Sequence, residues 1–151
     1  MKTSLFVHCS LFLLLVLTGC GDNIPLGGTV TFSDDGSPLE VGTIAFASGQ
    51  MQARGDIGTG GKYDLGTLKV GDGLPPGDYK VYITGAEATE KGKTVGQGEH
   101  QSTLNKVTQL IDPKYTSVDK TPLTAKVDAS TKQIDFKVDR AKGKDAAPQE
   151  R

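Results

Sequence analysis

The chain reads as an all-β protein built on a β-sandwich, and three features of its sequence say so. Apolar residues recur with a period of two in short runs: Val30/Phe32, Ile44/Phe46 and Tyr79/Val81/Ile83. That spacing turns one face of a strand into a core. Glycine is abundant, at 20 of 151 residues, and much of it falls between those runs with Asp and Pro, where turns need it. No segment after residue 19 carries a convincing helical period, so a parallel α/β sheet is not expected.

The elements follow in order. Residues 26–32 end in alternation, with Val30 and Phe32 on one face and Thr29 and Thr31 on the other. Asp34-Asp35-Gly36 is a hairpin signal, and 39–47 is the expected returning strand, with Ile44 and Phe46 inward and Thr43 and Ala45 outward. Residues 51–57 give a weaker third strand, 58–61 a turn, and 62–65 a fourth strand with Tyr63 and Leu65 inward. Leu74-Pro75-Pro76-Gly77-Asp78 is a rigid turn, because proline fixes φ and donates nothing to a ladder. The clearest strand follows, with Tyr79, Val81 and Ile83 alternating with Lys80, Tyr82 and Thr84. Residues 85–110 break the pattern: rich in Gly, Glu, Lys, Thr and Gln, they read as an unstructured insertion and the place to seek a partner surface. Strands at 122–127 and 133–138 close a seven-stranded antiparallel sandwich over 26–139, and a charged tail, 140–151, is expected to be disordered.

The first residues are of another kind. Lys2 precedes an apolar run, Leu11 to Leu17, far shorter than the roughly 20 residues that cross a bilayer. Leu17-Thr18-Gly19-Cys20 then matches a lipobox: aliphatic, small, small, Cys. Residues 1–19 are thus expected to be a lipoprotein export signal, removed on maturation. Cys20 is the lipidation site, and 20–25 is a short tether that keeps the domain close to its membrane. Cys9 lies within the signal, so lipidation of Cys20 uses the only thiol of the mature chain. Asp22 stands one position beyond the place where an inner-membrane retention signal would put it, so the expected location is the cell envelope, at the outer membrane.

The formal net charge is −1, with acidic and basic residues interspersed, which leaves no electrostatic footprint for nucleic acid. The lone mature histidine, His100, sits within 85–110, too little for a histidine-based nucleophilic site or a clustered zinc site. Asp34-Asp35 could serve calcium, although a solvated hairpin tip accounts for it. Arg54-Gly55-Asp56 spells an adhesion tripeptide, but in an expected strand. Phe32, Phe46, Tyr63, Tyr79 and Phe136 fall on inward registers; Tyr82 and Tyr115 are free to face out, and Tyr115 is expected to pin its loop onto the sandwich.

Gly28-Thr29-Val30-Thr31-Phe32, Gly36-Ser37-Pro38-Leu39 and Gly42-Thr43-Ile44-Ala45-Phe46 resemble the opening of carboxypeptidase regulatory-like, or transthyretin-like, sandwich domains. Gly60-Gly61-Lys62-Tyr63, Leu74 to Val81, Asp112-Pro113-Lys114-Tyr115, Thr121 to Ala125 and Ile134-Asp135-Phe136 continue the resemblance, which is to the small lipoproteins of this type in planctomycetes. It implies two sheets of Ig-like or transthyretin-like arrangement and an accessory role. Hydroxyisourate hydrolysis, known among transthyretin-like relatives, needs several histidines and is not carried over. The expectation is a non-enzymatic, membrane-anchored structural or protein-interaction module with no cofactor. A carbohydrate-binding module is the alternative, which leaves a protein or glycan partner open.

Overall fold

The computed structural model describes residues 23–143 apart from 91, 93, 96–101 and 104. The expected signal and lipobox with Cys20, together with His100 and the tail after 143, lie outside the described residues. Within them the chain forms strands β1 (Gly27–Phe32), β2 (Thr43–Ser48), β3 (Met51–Asp56), β4 (Lys62–Asp64) and β5 (Gly77–Thr84). They are followed by β6 (Glu87–Glu90), β7 (Thr94–Val95), β8 (Ser102–Thr103), β9 (Lys106–Gln109), β10 (Thr124–Val127) and β11 (Phe136–Val138). Short 3-10 turns stand at Thr59–Gly61 and Pro113–Tyr115.

Two sheets make the body: a three-stranded one ordered β11-β1-β4 and a four-stranded one ordered β10-β5-β2-β3. The alternation explains their faces. Val30 and Phe32 of β1, Ile44 and Phe46 of β2, and Tyr79, Val81 and Ile83 of β5 are all buried. Phe46 lies at the seam between the sheets. Its ring centroid is 6.3 Å from Tyr63 on β4 and 5.9 Å from Phe136 on β11, both in the opposite sheet, and 6.2 Å from Tyr79 on β5 beside it. Tilted and edge-on rings at such distances bring positive edges toward negative faces. The buried phenols keep a partner each: Tyr63 donates to the Ile134 carbonyl at 2.6 Å and Tyr79 to the Pro75 carbonyl at 2.7 Å. Burial pushes both hydroxyls above the usual tyrosine range, with the Asp135 charge adding to it at Tyr63.

Several expectations are corrected. The turn at Asp34-Asp35-Gly36 forms, but 39–47 is not one returning strand. Residues 37–39 run back along β1, with Leu39 N–H donating to the Val30 carbonyl at 3.0 Å. The chain then bends at Val41-Gly42, and β2 enters the other sheet. Ile44 and Phe46 can face β1 across the core only from that side. Nor are the sheets wholly antiparallel: β11 lies parallel to β1, in register Val30↔Phe136 and Phe32↔Val138. This is the outcome when the chain leaves β10 in one sheet and returns along the edge of the other.

Residues 85–110 are not an unstructured insertion among the described residues. Glu87–Glu90 pairs with Lys106–Gln109, and Thr94–Val95 with Ser102–Thr103, making a two-part antiparallel ribbon. The strands Glu87-Ala88-Thr89-Glu90 and Lys106-Val107-Thr108-Gln109 are mostly polar and offer no large apolar face to bury. Ala45, expected outward, is also buried. It stands in register between Arg54 and Tyr82, and the long side chains of Gln52, Arg54 and Tyr82 are hydrogen-bonded to one another on that face.

Candidate functional site

The expected lipidation site and lipobox (Cys20, Leu17, Thr18, Gly19) lie outside the described residues, which begin at Asn23. From there the chain pairs at once. Ile24 N–H donates to the Leu74 carbonyl at 2.8 Å, and Leu74 N–H returns a bond to Ile24 at 3.2 Å. The Asn23 side chain donates to Thr67 Oγ1 at 3.1 Å. Gly73 makes the approach possible, because a Cβ there would lie 2.0 Å from the Ile24 carbonyl oxygen.

The loop so clamped, 66–73, is closed by one carboxylate. Asp72 accepts the backbone N–H groups of Thr67 at 2.6 Å, Leu68 at 3.1 Å and Lys69 at 3.0 Å. These bonds, that from Thr67 first, hold the Asp72 carboxyl below the usual carboxylate range. With its polar groups turned inward on Asp72, the loop points Leu68 and Val70 outward, 92% and 89% exposed. No reading of the sequence singled them out. The available signal was a pair of branched apolar residues inside a Gly/Asp-rich turn, where solvated side chains are the rule.

The opposite feature, a polar lattice, surrounds the end of β11. Asp139 accepts from Lys114 Nζ at 2.5 Å, from Tyr115 Oη at 3.0 Å and from Ser33. Its carboxyl is held well below the usual range, chiefly by Lys114. Arg140 donates to Asp34 at 2.9 Å, to Asp35 at 2.8 Å and to Ser37, with its guanidinium 3.7 Å from the centre of the Phe32 ring. Hydrogen bonds from Ser37, aided by Arg140, lower the Asp35 carboxyl to about 2. The Asp34-Asp35 pair is therefore occupied by an internal cation. Arg140 belongs to the fold rather than to a disordered tail, as does buried Ala141.

Tyr115 does not face out. It is buried, and its hydroxyl on Asp139 pins the Asp112-Pro113-Lys114-Tyr115 turn to β11. Asp112 closes that turn by accepting from Lys114 N–H at 3.0 Å. The five aromatics assigned to the core are buried, and among the described residues only the Tyr82 ring is partly exposed, its hydroxyl bonded to Gln52. Arg54-Gly55-Asp56 lies within β3, away from any loop tip. Its glycine has a structural cause: a Cβ on Gly55 would lie 2.4 Å from the Asp64 carbonyl oxygen, where β3 and the end of β4 cross. Two open grooves of about 500 Å³ lie among the described residues, one along Ser48, Tyr79, Lys80 and Lys126, the other at the root of the ribbon by Thr84, Glu87 and Gln109.

No family model matches the chain, and no curated protein sequence matches it. Among solved structures it is similar to the major pilin subunit of Bacillus cereus, at 12% identity and a TM-score of 0.42, over 80% of this chain and 30% of that one. It is also similar to a 9R-lipoxygenase from Cyanothece, at 13% identity and a TM-score of 0.33, over 77% of this chain and 16% of that one. The chain thus spans less than a third of either neighbour, and at these scores neither bears on function.

Proposed function

We propose that the chain is an envelope lipoprotein, anchored through lipid on Cys20 at the outer membrane and presenting a non-catalytic sandwich of transthyretin-like type as a structural or protein-interaction module. The observation that carries the reading is the run of Leu11 to Leu17 followed directly by Leu17-Thr18-Gly19-Cys20. Lipoprotein maturation needs small residues before the cut and a thiol after it. The early pairing of Ile24 with Leu74 supports the reading, since it leaves a tether only a few residues long between Cys20 and the folded body.

In this reading the shifted carboxylates have architectural roles. Asp35, Asp72 and Asp128 close turns by accepting from nearby backbone groups, and Asp139 ties a turn to a strand. Metabolic labelling of producing cells with a palmitate analogue tests the anchor. The wild-type chain takes up label and Cys20→Ser does not; a Cys20→Ser chain that is still labelled rules the anchor out.

A further inference from the structure

We infer that the tip of the 66–73 loop is a second membrane contact, in which Leu68 and Val70 enter the lipid interface beside the anchor and Lys69 lies at the headgroups. The inference rests on the proposed lipidation of Cys20.

Three observations carry it. The first is exposure: Leu68 and Val70 are the two most exposed large apolar residues among the described ones, at 92% and 89%, with a lysine between them. Exposed side chains of this kind are unremarkable when scattered, but here the two share one loop tip. The second is preorganisation. Asp72 gathers three backbone N–H groups of the loop, so the apolar pair is presented by a closed turn that pays little ordering entropy on insertion.

The third is reach, and it names the occupant. Asn23 is hydrogen-bonded to Thr67, the residue before Leu68, and lies three residues after Cys20. Three extended residues span at most about 11 Å. A thioether-linked lipid at Cys20 therefore holds this end of the sandwich, and not the ribbon at the far end of β5, against the bilayer. Apolar side chains that meet such a surface settle about 5–10 Å into the headgroup–acyl boundary, and an adjoining lysine favours anionic lipid.

The chain contains no tryptophan, so a single introduced one reports alone. Full-length lipidated protein carrying Leu68→Trp, or Val41→Trp as a control, is reconstituted in phosphatidylcholine–phosphatidylglycerol vesicles with and without brominated acyl chains. Val41 is also partly exposed, at 40%, but precedes the start of β2, which is paired with the end of β5 away from the loop. The expected result is a blue-shifted Leu68→Trp emission quenched at least about twofold by brominated lipid, against little quenching of Val41→Trp. Equal quenching of the two in labelled protein that sediments with vesicles overturns the loop contact and leaves the anchor standing. A blue shift without quenching assigns the tip to a protein surface or a second copy and likewise overturns it. Protein that neither takes up palmitate label nor sediments with vesicles overturns the anchor, and the loop contact with it. Because the Leu68 side chain is almost wholly exposed, the substitution leaves the fold intact, which circular dichroism and an unchanged urea midpoint verify.

Discussion

Replacing Phe46 with alanine removes the ring that, among the described residues, packs against aromatic partners in both sheets. Its side chain is fully buried, with Tyr63 and Phe136 facing it and Tyr79 alongside. A buried phenylalanine removes on the order of 200 Å² from water, and truncation to alanine costs about 3–5 kcal/mol once the cavity is included. The upper half of that range applies here, because rings from three different strands cannot all close on the gap together. With a urea slope of about 2 kcal/mol per molar, a loss of about 4 kcal/mol lowers the midpoint by about 2 M. Phe46→Leu keeps much of the volume and loses the ring contacts, so its cost is about 1–2 kcal/mol. The assay is urea unfolding of the chain from Gly21 onward, followed by far-ultraviolet circular dichroism. A Phe46→Ala loss below about 1 kcal/mol refutes the placement of this residue at the seam between the sheets.

Two further outcomes are expected. Gly55→Ala forces a methyl against the Asp64 carbonyl and destabilises by about 1–3 kcal/mol, whereas Gly58→Ala meets nothing closer than 4.0 Å. Gly58 has extended backbone at φ −113°, so the change there is neutral or stabilising by about 0.4–1 kcal/mol; similar urea midpoints for the two variants refute the crossing of β3 and β4. Stability also falls in acid: the Asp35 and Asp139 carboxyls are held below their unfolded values, so their contribution is complete above about pH 4. It is lost as pH drops through the folded value of about 2 at Asp35, with the Asp139 share lost later still. Melting temperatures that do not decline between pH 4 and pH 2, or a Lys114→Gln variant that declines as steeply as wild type, count against these contributions.

Much of the body was legible in the residues. Period-two alternation placed the strands around Val30, Phe46, Tyr63, Val81 and Phe136 and their inward faces, because burial on a pleated strand acts on every second side chain. Turn chemistry at Asp34-Asp35-Gly36 and Leu74 to Asp78 was local and therefore readable. The ribbon at 85–110 was missed, since strands without a core face carry no apolar alternation. The role of Tyr115 in pinning its loop was legible, although not its partner Asp139, 24 residues on; Arg140 was misjudged because its partners Asp34 and Asp35 lie 106 and 105 residues away.

What the sequence determined by itself is chemical and local: an apolar run followed by Leu17-Thr18-Gly19-Cys20, on which the proposed lipid anchor rests, and strand periodicity, which selects an all-β fold. Which strands share a sheet, that β11 runs parallel to β1, and that Ile24 closes onto Leu74 depend on contacts between distant segments. Those were decided only when the two apolar faces met around Phe46. The apolar tip at Leu68 and Val70 belongs with them. Its residues are visible in the sequence, but only the bond from Asn23 to Thr67 sets them close to the chain segment that follows Cys20.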